Sequence, residues 1–202
     1  MIRIALVLFL AALPLSGCVV ERDTQPPRTA TEQLLISTAA DRAAKRLVLD
    51  LPHGTRIFVD TRNFTSADAK EADAKYAVAA IEDVLLHQGM ALMPDSKQAD
   101  VIVALRAGAL SIDERKVLLG IPAMAIPIPF AGTVPTPEVA LYGLDTEKGI
   151  AKFAAVGYGA RDGRLRAASE AKAGFAKHAK KVILIVFGST KTNFEPAALN
   201  KH

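Results

Sequence analysis

Asp100–Ser111 reads DVIVALRAGALS. Five apolar residues in a row, Val101 to Leu105, leave no polar face. The run predicts a strand in the middle of a sheet, covered on both sides. Working outward, Arg56–Asp60 (RIFVD) is a second strand, with Ile57 and Val59 on one face and Phe58 on the other. Met90–Met93 is a third, brief one. Two helices flank these strands. Thr29-Ala30-Thr31-Glu32 fits a capping box and opens a helix to about Leu47, in which Ile36, Ala40, Ala43 and Leu47 recur at helical spacing. A second helix covers about Lys75–Gln88, with Ala77, Ile81, Val84 and Leu85 as its apolar stripe and Gly89 at the left-handed position past its end.

In the other direction, Glu138–Asp145 and Ile150–Tyr158 read as two strands. Thr146–Gly149 is the expected hairpin turn, with Gly149 at positive φ. Leu165–Lys180 is Ala-rich and predicts a third helix. Lys181–Phe187 predicts a last strand, and the tail after Gly188 is polar. The order of elements predicts an α/β (α+β) two-layer sandwich: a mixed sheet of about five to six strands with two or three helices.

Val117–Pro137, VLLGIPAMAIPIPFAGTVPTP, holds no charged residue. Pro122, Pro127, Pro129, Pro135 and Pro137 exclude a straight helix, since each interior proline costs about 3 kcal/mol. They also argue against a central strand. An extended, partly polyproline loop is expected. Leu119, Ile121, Met124, Ile126, Ile128 and Phe130 are its candidate contact residues. It either folds back to close the core or offers a surface to a membrane or a partner.

The N-terminus carries an address. Met1-Ile2-Arg3 is positive, Ile4–Pro14 is almost wholly apolar, and Leu15-Ser16-Gly17-Cys18 follows. This is the layout of a signal peptide whose apolar run is too short to span a bilayer. Leu-Ser-Gly-Cys resembles the lipobox of bacterial lipoproteins. The resemblance implies cleavage between Gly17 and Cys18, diacylglycerol on the Cys18 thiol, and a further acyl chain such as palmitate on its amine. Each buried CH₂ contributes about 0.8 kcal/mol, so two or three chains anchor stably. By the same resemblance, Val19, where an Asp would retain such a lipoprotein at the inner membrane, implies the periplasmic side of the outer membrane. The expected organisation is a signal peptide (1–17), a lipidated tether (18–28), one α/β domain (29–190) and a flexible tail (191–202).

Candidate chemistry is sparse. Cys18 is the single cysteine, so no disulfide forms within the chain. His53, His87, His178 and His202 lack companion motifs. Asp68 and Asp73 lack the Gly and closing Glu of a calcium loop. Gly157–Gly163 is one residue too long for a dinucleotide turn. No catalytic residue, metal ligand, cofactor or small-molecule substrate is expected. The net charge of +4 gathers toward the C-terminus, where Arg161–His202 holds nine Lys or Arg against three Asp or Glu. Such an end could lean on anionic lipid heads. Without an aromatic stripe it does not read as a nucleic-acid surface.

RIFVDTRNF, ADVIVALRAG and LYGLDTEKG resemble the periplasmic part of curli-secretion-channel lipoproteins and TolB-like N-terminal domains. The whole chain, with its GIP…PIP stretch, resembles an uncharacterised family of proteobacterial outer-membrane lipoproteins, a domain of unknown function. These resemblances imply a non-catalytic, lipid-anchored binding or assembly module that meets an envelope protein or itself. The alternatives are a subunit of an oligomeric secretion or assembly apparatus, and a hydrolase of unknown type.

Overall fold

The computed structural model describes residues 28–65, 69–128, 132–136, 138–183 and 187–193. Cys18, Gly17, Asp68, Phe130, His202 and the tether up to residue 27 lie outside them.

Helix α1 (Ala30–Ala44) starts where the capping box places it. Thr29 Oγ1 accepts the Glu32 N–H at 3.2 Å, and the Glu32 carboxylate accepts the Thr29 N–H. Its Leu35, Ile36, Ala39, Ala40, Ala43 and Ala44 are buried. Strand β1 (Arg56–Asp60) falls on the expected residues. Helix α2 (Glu71–His87) begins four residues earlier than expected and buries Ala77, Ile81 and Leu85. Gly89 follows it at φ 86°, as its position requires. The remaining strands are β2 (Ala91–Leu92), β3 (Val101–Ile121), β4 (Ala125–Ile128), β5 (Gly132–Pro135), β6 (Val139–Gly159), β7 (Leu165–Ile183) and β8 (Phe187–Thr192).

Six strands form one mixed sheet in the order β2-β1-β3-β6-β7-β8; β4 and β5 make a separate two-stranded ribbon. β1 runs parallel to β2 and β3, and every later pair is antiparallel. The helices and one face of the sheet share a single core, in which Phe153 is fully buried with its ring 5.3 Å from that of Phe64. The architecture is therefore the expected two-layer α/β sandwich.

β3 is central but covered on one side. Val101, Val103 and Leu105 are buried toward the helices, while Ile102 and Ala104 on the other face stay half-exposed.

The third helix does not form. Leu165–Lys180 lies within β7. Alanine favours helices, but here it serves as a small residue under α1. Ala167, Ser169, Gly174 and Ala176 are buried. A Cβ on Gly174 would stand 2.1 Å from the Ala39 carbonyl oxygen, so α1 rests on the strand backbone.

The hairpin turn at Thr146–Gly149 is also replaced. β6 runs unbroken through it, paired with β3 on one side and β7 on the other. Gly149 sits beneath α1, where a Cβ would come 2.2 Å from the Leu35 carbonyl oxygen. Close approach of a helix, rather than positive φ, demands that glycine. At the C-terminal end, the expected Lys181–Phe187 strand is divided between β7 and β8, and β8 carries the chain to Thr192 where a loose tail was expected.

Candidate functional site

β3 and β6 are each 21 residues long, about 70 Å at 3.3 Å per residue. The helices cover only part of that length. On β3 the last buried residue is Leu110. Beyond it β3, β6, the end of β7 and β8 continue together as an arm, tipped by the β4–β5 ribbon. Val117–Pro137 thus supplies the end of β3 and that ribbon in place of a loop. Its described prolines stay out of the six-stranded sheet, as their missing N–H groups require: Pro122 lies in no strand, and Pro127 and Pro135 lie in β4 and β5.

Register assigns the arm's two faces. On the face continuous with the helix-covered side, Glu114, Glu147 and His178 form one row, and Lys116, Asp145 and Lys180 the next. Lys116 donates to Glu138 at 2.7 Å. Glu147 is half-buried, and burial is the main reason its carboxyl pKa lies above the ordinary value. The positive side of His178 opposes that rise; Asp145, Glu114 and Glu32 add to it by repulsion. Folding then holds the Glu147 proton more tightly than the unfolded chain does. The associated stability is complete below the unfolded glutamate value and is lost as pH rises through the raised native one. Glu147→Gln is expected to flatten this loss, giving a higher urea midpoint than the parent at pH 7 and nearly the same midpoint at pH 4.

On the opposite face the rows are Asp113–Lys148–Lys177, then Arg115–Thr146–Ala179–Lys191, then Val117–Leu144–Lys181, then Leu119–Tyr142–Ile183. Leu119 is 64% exposed and Ile121 56%. The tip adds exposed Met124, Ile126 and Val134. Ile128 lies in β4 opposite Gly132. Leu119, Ile121, Met124 and Ile126 therefore stand exposed along the arm's end and tip, and not against the core.

Sequence reasoning missed Val117, Tyr142, Leu144 and Ile183, which share that face, and the basic residues behind them. The signal was present in Asp113–Ile121 (DERKVLLGI), where Asp113, Arg115, Val117, Leu119 and Ile121 occupy alternate positions. Reading Leu165–Lys180 as helix hid the alignment of Lys177 and Lys181 with them.

A second concavity of about 650 Å³ lies between α1 and α2, walled by Leu34, Ile36, Tyr76 and the Arg28–Asp73 ion pair. Ser37 Oγ there donates to the Leu34 carbonyl at 3.3 Å. The Tyr76 hydroxyl donates to Asp41 at 3.1 Å, and burial first, then Asp41, pushes its pKa up. Asp73 is thus an ion-pair partner. Among the described residues no three His, Cys, Asp or Glu converge to hold a metal ion, and no helix is long and apolar enough to cross a membrane. Elsewhere, His53 packs against Gly89, and His87 Nδ1 is 2.8 Å from the Asp83 carbonyl oxygen.

The model of a family of unknown function, DUF6655, matches residues 12–176. The chain belongs to that family. The DUF6655 match takes in Leu15–Cys18, both helices, the β3 and β6 parts of the arm and Leu165–Ala176 of β7, and ends before the part of the arm made by the end of β7 and β8. No curated protein matches the chain.

Proposed function

We propose that this DUF6655 protein is a lipid-anchored, non-catalytic module at the periplasmic face of the outer membrane, and that its arm is the element by which it binds or assembles with another envelope component. The observation that carries the reading is the exposed end of the arm. Val117–Ile128 contains no charged residue, and its large apolar side chains from Leu119 to Ile126 lie open to solvent. Exposed apolar surface that is contiguous and rimmed by charge marks an interaction site. The lipobox-like Leu15–Cys18 supports the anchor.

The test follows wild type beside Cys18→Ala, with a photo-crosslinking residue in place of Ile126. Wild type is expected in the outer-membrane fraction, with acyl chains in its intact mass and an envelope component captured at the tip. Cys18→Ala should lose the acyl mass and become releasable from the membrane by high salt, where the acylated wild type stays bound. A wild-type chain that carries an unmodified sulfur and stays soluble would refute the anchor. A tip that captures nothing would refute the arm's role.

The open edges of the arm favour assembly of several copies as the second reading. Among the described residues, β3 from Leu105 to Ile121 is paired on one side only, and β8 forms the other edge of the sheet. Unpaired strand edges are templates for strand addition, and head-to-tail addition closes rings.

A further inference from the structure

We infer that the end of the arm docks in the interface of an anionic lipid bilayer. The inference rests on the binding role proposed above and deepens it by naming what the arm takes, and its test is independent of the Cys18 anchor. Three features of the arm lead to it.

The first is the gradient along one face. Arg115, Lys148, Lys177, Lys181 and Lys191 lie together with a single acid, Asp113, and all six are exposed. The apolar rows begin directly beyond them. Basic side chains just behind an apolar end match the order of phosphate and acyl layers in a bilayer. Tyr142 lies at the boundary, with the Lys181 ammonium 5.5 Å from its ring centre. Tyrosine favours that depth because its ring is apolar and its hydroxyl polar.

The second is that the end of the arm is apolar on one face and nearly so on the other, where its one acid, Glu138, is neutralised by Lys116. Past the Lys116–Asp145–Lys180 row, the helix-side face carries Leu118, Gly143 and Val182, then Gly120 and Ala140. The β3 edge, unpaired among the described residues, sets the depth. Open backbone groups are not tolerated in the hydrocarbon centre, so the ribbon stays at the boundary between headgroups and chains, about 5–10 Å deep.

The third is where the chain enters the domain. α1 lies with Leu35 over Gly149 and Ala39 over Gly174, and Val48 beyond it donates to Ser169 Oγ. The N-terminal end of α1 therefore points toward the arm. From Cys18 to Thr29 is eleven residues, a reach of at most about 40 Å. From the Gly149 row to Ile121 the arm extends about 30 Å. A tether of that length and the arm's end can meet one bilayer.

The chain has no tryptophan, so one introduced indole reports its surroundings without background. Full-length Leu119→Trp, made with and without Cys18→Ala, is mixed with vesicles of phosphatidylglycerol in phosphatidylcholine. Its emission is expected to shift to the blue and to be quenched by lipids brominated high on the acyl chain. Leu165→Trp, at the far end of β7, should remain open to iodide. Binding of the Cys18→Ala chain should fall more than tenfold in pure phosphatidylcholine, and equally in Lys177→Glu/Lys181→Glu. A Leu119→Trp indole that stays open to iodide while the protein sits on vesicles would overturn the inference and leave a Cys18 anchor standing. An indole shielded without lipid as protein concentration rises would overturn it in favour of a second copy. A Cys18→Ala chain that docks with its indole buried upholds it whatever Cys18 carries.

Discussion

Gly174→Val is expected to unfold the domain or leave it with α1 detached. The added side chain must begin 2.1 Å from the Ala39 carbonyl oxygen and 2.4 Å from the Ala43 nitrogen, positions no Cβ can share with backbone. α1 cannot retreat cheaply, because Leu35, Ile36, Ala39, Ala40, Ala43 and Ala44 all lose their burial with it. Two arginines also hold it to the strand. Arg42 donates to the Phe175 carbonyl at 2.6 Å and Arg46 to the Ala173 carbonyl at 2.8 Å, on the stretch of β7 that β8 does not reach. Those guanidinium groups occupy an otherwise open strand edge. A cost of about 4 kcal/mol or more is expected, at the upper end for single substitutions. Urea unfolding checks it. A Gly174→Val protein with the parent's midpoint would mean that α1 does not lie where it is described.

Replacing Leu118–Gly143 with Asn-Gly is expected to do the reverse: to leave the core folded and remove the contact surface. Val117 and Leu144 are register partners, so a two-residue turn can join them directly. The described part of the excised stretch contributes almost nothing to the core, since its one buried residue is Ala140. The urea midpoint should stay close to the parent's, while vesicle association of the Cys18→Ala chain drops to background. A large fall in stability would show that the arm's end is packed against the body, which would remove the basis for calling it a contact surface.

Much of the chain was legible without coordinates because its signals are local. A capping box fixes a helix start through two reciprocal hydrogen bonds, and Thr29 with Glu32 makes both. Gly89 marks the end of α2 for an equally local reason. The apolar, charge-free character of Val117–Pro137 was visible at once, and so was the pull of its prolines away from the sheet.

Two readings failed where small residues under α1 were taken at their intrinsic preference. The alanines of β7 and the glycine at 149 look like a helix and a turn because nothing nearby in sequence reveals the helix lying over them. α1 is more than one hundred residues away along the chain from both. By itself, then, the sequence determined the two helices, the strand nuclei β1 and β3, and the presence of an apolar segment without charge. Only the tertiary structure decided that β3, β6 and β7 run on past their core as one arm. Cross-strand register cannot be read from one strand at a time, and it alone brought the apolar rows and the lysines onto a common face.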